Sequence, residues 1–161
     1  MRTAVLTIST SVARGGAEDA SGPLLAELAE GVGADVVALE VVPDDVALIE
    51  DRLRHHIDDG AALVLTTGGT GLSPDDVTPE ATRAVIDRDA PGFSEAMRAE
   101  SIRHTPMGLL SRGVSGIAAQ TLILNFPGSP QAVREVFAVV APTLGHAVAT
   151  LRGDDDRHGG G

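Results

Sequence analysis

Seventeen residues, Thr66 to Thr82, read T-T-G-G-T-G-L-S-P-D-D-V-T-P-E-A-T and gather the residue types that could do chemistry. Gly68, Gly69 and Gly71 leave backbone N–H groups unshielded, and Thr70 adds a hydroxyl. That combination suits a phosphate or another anion. Asp75 and Asp76 then fall beside the same loop. Carboxylates next to a phosphate cradle call for a cation between them, so the string predicts Mg²⁺-assisted phosphoryl or nucleotidyl transfer. The bland alternative is a tight turn between a strand and a helix. Two familiar phosphate loops are excluded: the chain has no lysine for a Walker loop, and the string is not G-x-G-x-x-G.

The loop needs a strand before it and a helix after it. Ala61 to Leu65 is an apolar run that reads as a buried strand, and Thr-Pro-Glu reads as a helix start. Further strands are expected at Thr3 to Ile8, Asp35 to Val42 and Thr121 to Asn125. Helices are expected over Ser21 to Glu30, Pro43 to about Asp59, Pro79 to Asp87, Pro91 to Arg103 and Gln131 to Leu151. Strands that are continuously apolar and alternate with helices predict a single α/β domain over residues 1–152, with a mainly parallel sheet covered on both faces. Ligands of such sheets bind outside the carboxyl ends of the strands. The loops Ser9 to Gly22, Pro43 to Asp45, Thr66 to Thr78 and Phe126 to Pro130 should therefore meet at one edge. The tail Gly153 to Gly161 has no apolar residue and is expected to be disordered.

Composition narrows the partners. A net charge of −11 argues against nucleic acid as a main partner. An anionic ligand then has to be met locally by backbone N–H groups, a few arginines and a divalent cation. Zero cysteines remove disulfides, thiolate nucleophiles and zinc–cysteine or iron–sulfur sites. His55, His56, His104, His146 and His158 show no metal-ligand spacing. No signal peptide or membrane-length apolar run stands out, so a cytoplasmic protein is expected.

The string resembles the signature of the MogA/MoaB molybdopterin-binding family, shared with gephyrin-type G domains. Other blocks of that family stand in order: Ser9 to Leu25, V-P-D-D at Val42 to Asp45, P-G-F-x-E-x-x-R at Pro91 to Arg98, S-I-R-H-T-P at Ser101 to Pro106, L-S-R-G at Leu110 to Gly113, and N-F-P-G-S-P at Asn125 to Pro130. The resemblance implies a three-layer α/β/α fold, a homotrimer, and molybdopterin adenylyltransferase activity. AMP would pass from Mg-ATP to the molybdopterin phosphate with release of pyrophosphate, and the product would go to a metal-insertion enzyme. A molybdopterin-binding protein without adenylylation is the alternative.

By the same resemblance, Gly68, Gly69, Thr70 and Gly71 form the ligand loop, and Asp44 and Asp76 are the catalytic and Mg²⁺-holding acids. An aspartate at 44 is equally a helix N-cap. Asn125, Pro127, Gly128 and Ser129 would grip the pterin or its phosphate, although the prolines could merely shape the turn. Ser101 would touch the ligand or be an exposed helix serine. Arg112 would meet phosphate or serve in a structural salt bridge. Glu95 matches a family acid that could instead serve a subunit contact. One departure stands out: the family commonly has Ser-Asp after the first strand, where this chain has Ser9-Thr10-Ser11.

Overall fold

The computed structural model describes residues 1–154. Six strands form one sheet: β1 (Arg2–Ile8), β2 (Asp35–Val42), β3 (Leu63–Thr67), β4 (Arg88–Asp89), β5 (Ser115–Ala118) and β6 (Thr121–Phe126), in the order β2-β1-β3-β6-β5-β4. The first four in that order run parallel, and β5 and β4 are antiparallel additions at one edge. The helices are α1 (Thr10–Ala13), α2 (Ser21–Glu30), α3 (Val46–Asp58), α4 (Thr78–Val85), α5 (Pro91–His104) and α6 (Pro130–Leu151), with a 3-10 helix at Pro106–Leu110.

Side chains alternate across the pleat, so each central strand feeds two cores. Val5, Leu63, Leu65, Leu122, Leu124 and Phe126 pack under α2, α5 and α6. Ala4, Leu6, Ile8, Val64 and Ile123 pack on the other face under α3 and α4. The result is the expected three-layer α/β/α arrangement. Helix α6 is long and apolar enough to pass for a membrane span by composition. However, Val133, Val136, Phe137, Val140, Leu144 and Val148 are buried at helical spacing, and this stripe docks on the sheet.

Four details differ from the sequence reading. Strand β3 begins and ends two residues later than expected, so Thr66 and Thr67 are strand and the loop proper begins at Gly68. The first loop contains the four-residue helix α1, capped by the Ser9 hydroxyl. Strands β4 and β5 were not anticipated. Strand β2 is an edge, and Val37, Leu39 and Val41 are exposed, so the sheet is not covered on both faces there. At the C-terminus, Gly153 and Asp154 close the last turn of α6 through bonds to Thr150 and Ala149 carbonyls. The remainder of the expected disordered tail, 155–161, lies outside the described residues.

Candidate ligand site at the carboxyl edge of the sheet

The ends of β1, β3 and β6 interlock through backbone. Gly68 N–H donates to the Phe126 carbonyl at 3.1 Å, and Thr67 Oγ1 donates to the Pro127 carbonyl at 2.6 Å. Gly68 has φ +98°, and a Cβ there would lie 2.5 Å from the Ile8 carbonyl oxygen. Only glycine lets these two strand ends approach so closely. Gly69 follows at φ +68°, where a Cβ would collide with Thr78 Oγ1 and lie 3.3 Å from Asp44 Oδ1. Thr78, at the start of α4, fastens the turn: its hydroxyl donates to the Gly68 carbonyl and its N–H to the Gly69 carbonyl. After these ties, the N–H groups of Gly69, Thr70 and Gly71 donate to no protein acceptor among the described residues. They are the unshielded amides that an anion needs.

Both predicted acids flank this loop. Asp44 Oδ2 accepts from Thr10 N–H and from Thr10 Oγ1, each at 2.9 Å, and Asp44 N–H donates back to Thr10 Oγ1 at 2.9 Å. Among the described residues its Oδ1 makes no hydrogen bond, and it faces Gly69. The N-cap alternative is answered by its neighbour: Asp45 caps α3 by accepting from Leu48 N–H at 3.0 Å. Asp76 Oδ2 accepts from Ser73 N–H at 3.1 Å and lies 2.8 Å from where a Gly71 side chain would begin. Asp75 is exposed. Each of Asp44 and Asp76 thus has one oxygen fixed by the protein and one left over. Among the described residues no third acid or histidine completes a metal cluster. Two carboxylates with the remaining positions open are what Mg²⁺ takes when substrate phosphates and water supply the rest, so the residues present fit that ion.

Other predicted residues sort differently. Asn125 is buried, and its side chain is spent inside the protein. Its Oδ1 accepts from Val114 N–H at 3.0 Å, and Nδ2 donates to Thr66 Oγ1 and Thr82 Oγ1 at 3.0 and 3.1 Å. It shapes the strand end rather than presenting a free amide. Arg112 is likewise engaged by protein groups: Nε donates to the Gly71 carbonyl, Nη2 to the Asp76 carbonyl, and both Nη groups to the Glu80 carboxylate. That pair holds the Glu80 carboxyl below its ordinary range and raises Arg112. The salt-bridge alternative thus describes Arg112. Ser129 caps α6 by accepting from Ala132 N–H, and Gly128 approaches Gly68 closely enough that a Cβ would lie 3.3 Å from its Cα. Glu95 is exposed on α5.

One depression borders the loop and a second lies beside the end of β6. The first, of about 290 Å³, is lined by Thr7, Ser9, Asp19, Thr67, Gly68 and Gly128. The Asp19 carboxylate there accepts from Thr7 Oγ1 and Gly22 N–H, so it fastens α2 to β1. The other is a narrow cleft where Ser101 meets Arg98, Asn125 and Pro127. Arg98 was not singled out from sequence, although it closes the P-G-F-x-E-x-x-R block. Its guanidinium reaches only the Gly113 carbonyl, at 3.3 and 3.5 Å, with no carboxylate within 4 Å among the described residues. It therefore keeps N–H donors that an anion in this cleft could use. A larger cavity, of about 400 Å³, lies between α5 and α6, is lined almost wholly by apolar atoms, and includes none of the loop residues.

Free loop amides stand beside two half-used carboxylates at the carboxyl edge of the parallel part of an α/β sheet, an arrangement chemically suited to an anionic ligand. Over residues 4–146 the chain matches the family described as "Probable molybdopterin binding domain", and it belongs to that family. It is 40% identical over 151 residues to the molybdopterin adenylyltransferase of Escherichia coli K12, covering 92% of this chain and 77% of that one. It is 44% identical over 153 residues to the molybdenum cofactor synthesis protein cinnamon of Drosophila melanogaster, covering 94% of this chain. The chain spans only 25% of that protein's length. Among solved structures, the molybdopterin biosynthesis enzyme MoaB from Thermus thermophilus has a TM-score of 0.89 at 46% identity, covering 94% of this chain and 96% of that one.

Proposed function

We propose that the protein is a molybdopterin adenylyltransferase of molybdenum cofactor biosynthesis, a nucleotidyltransferase that uses ATP and molybdopterin as substrates. A phosphate oxygen of molybdopterin attacks the α-phosphorus of ATP, the new P–O bond forms, and pyrophosphate leaves with the bonding pair of the broken α–β bridge. The observation that carries this reading is the row of unused N–H groups at Gly69, Thr70 and Gly71 between Asp44, whose Oδ1 faces Gly69, and Asp76, whose Oδ2 lies beside Gly71. The amides donate to phosphate oxygens and need no reorganisation, because Thr78 and the Gly68 contacts already fix the turn. Arg98 supplies positive charge from the Ser101 side. Asp44 and Asp76 would hold Mg²⁺, whose chemistry is to offset negative charge on the transferring phosphoryl group.

Incubation with molybdopterin and Mg-ATP, following pyrophosphate, tests the reading. Stoichiometric pyrophosphate release is expected. Tight pterin binding without pyrophosphate would instead identify a binding protein. The resemblance extends the proposal to a cytoplasmic homotrimer that passes its product to a metal-inserting enzyme. Sedimentation of the chain measures the subunit number directly.

A further inference from the structure

The segment from Leu72 to Asp75 is exposed throughout and contributes nothing to either core. Its internal bonds are few: Asp76 N–H to the Ser73 carbonyl, Ser73 N–H to Asp76 Oδ2, and a long bond from Asp75 N–H to Ser73 Oγ. Yet it carries Asp76, whose carboxylate must stay beside Gly71. Among the described residues, Arg112 is the side chain whose hydrogen bonds reach the carbonyls flanking this segment. Arg112 Nε donates to the Gly71 carbonyl at 2.8 Å and Nη2 to the Asp76 carbonyl at 2.7 Å, so one planar group bridges both ends of the segment. Its two remaining bonds, at 2.9 and 3.0 Å, are bidentate to Glu80 on α4. Its own backbone N–H donates to the Thr70 carbonyl at 2.7 Å.

We infer that Arg112, backed by Glu80, is a positioning residue that sets the Asp76 carboxylate against the glycine loop and does not itself bind substrate. Four of the five guanidinium N–H groups are committed to protein acceptors, leaving little to offer a phosphate. A lysine could not reproduce the bridge, because a point charge cannot address two carbonyls and a carboxylate in one plane. The inference rests on the adenylylation reading only for what Asp76 does, and not for how it is held.

The test pairs Arg112→Lys with Glu80→Gln, an exposed and conservative change, in the full chain. Amide exchange measured without substrate should rise about tenfold or more at Ser73 and Asp76, whose N–H groups are bonded within the segment, in both variants, and stay unchanged in β3 and α6, as expected for losing charge-assisted bonds. With Mg-ATP and molybdopterin, kcat should fall about tenfold or more in Arg112→Lys, and in the same direction by less in Glu80→Gln. KM for both substrates should remain within about twofold. A phosphate-binding Arg112 gives the opposite pattern: KM rises in Arg112→Lys at unchanged kcat, while Glu80→Gln, which frees the guanidinium, lowers KM. That pattern, or exchange at Ser73 and Asp76 that does not rise in either variant, overturns the inference. If the unaltered chain releases no pyrophosphate, the adenylylation reading fails while the exchange experiment still decides the role of Arg112.

Discussion

Replacing Thr10 by Val removes a hydroxyl that both donates to Asp44 Oδ2 and accepts from Asp44 N–H, each at 2.9 Å, and keeps the side-chain shape. One of the lost bonds is to a carboxylate, worth about 1.5 kcal/mol at the low end appropriate to a half-exposed rim. The other leaves an N–H that water can reach, so about 0.5 kcal/mol is assigned to it. The bond from Thr10 N–H to Oδ2 at 2.9 Å survives, so Asp44 is loosened and not released. If the whole of roughly 2 kcal/mol appeared in transition-state placement of the carboxylate, turnover would fall about 30-fold, which is a ceiling. The expected fall in kcat is about 3- to 30-fold, with pterin affinity unchanged and the Mg²⁺ concentration for half-maximal rate raised. The assay is pyrophosphate release at saturating substrates across a Mg²⁺ titration, with Thr10→Ser as the control that retains the hydroxyl. The reasoning is refuted if Thr10→Val turns over like the unaltered chain at every Mg²⁺ concentration, or if Thr10→Ser is equally impaired.

Asp76→Asn should abolish turnover while pterin binding, read by fluorescence or calorimetry, survives; normal turnover would remove Asp76 from the site. Gly68→Ala should destabilise by about 2–5 kcal/mol in a denaturant titration, combining a left-handed backbone with a Cβ 2.5 Å from the Ile8 carbonyl. A loss under about 1 kcal/mol would show that the β1 and β3 ends are not locked together as described. His56 is buried on α3 and its Nε2 lies 3.0 Å from Glu40 Oε1, but burial outweighs that carboxylate and holds its pKa below 6.5. The neutral ring is therefore favoured in the fold. Its contribution is complete above 6.5 and is lost as pH falls from there towards the depressed folded value. Tm should drop between pH 7 and 5, and His56→Gln should flatten that slope; an unchanged slope would assign the effect to another group.

The parallel half of the sheet was legible because its strands are dense in Val, Leu and Ile and are each followed by helix-start chemistry. The antiparallel edge was not. Strand β4 is two charged residues, Arg88 and Asp89, and β5 is Ser-Gly-Ile-Ala, so neither carries an apolar pattern. The hairpin turn that joins β5 to β6 is equally silent. Ala119 sits at φ +52° with no Gly or Asn to announce it, and Asp87 Oδ2 accepts from Ala119 N–H at 2.7 Å from 32 residues away. A turn held by a distant carboxylate leaves no local trace. The two-residue shift of β3 has a similar cause. Thr66 and Thr67 look like loop residues, but Asn125 Nδ2 and the Pro127 carbonyl satisfy their hydroxyls and let them extend the strand.

The residues that sequence ranked together at the site divide by a single physical test, whether their polar atoms are already used. Gly69 to Gly71 and Asp44 Oδ1 have unspent capacity among the described residues, whereas the side chains of Asn125 and Arg112 are engaged by Val114, Thr66, Thr82, Gly71, Asp76 and Glu80. A motif cannot reveal this, because a residue that holds the site and one that touches the ligand occupy equally fixed places in it. On the proposed reading, the same partition is what would let an electronegative chain accept polyphosphate. The acids nearest the loop each have one oxygen tied by neutral donors, Thr10 or Ser73, which fixes their orientation for the cation that reading requires. Meanwhile Glu80, the next acid along, is neutralised by Arg112 instead of adding its charge to the rim. Two arginines of the motif blocks thus differ: Arg112 quiets an acid and ties both ends of a loop, whereas Arg98 has a single carbonyl partner among the described residues.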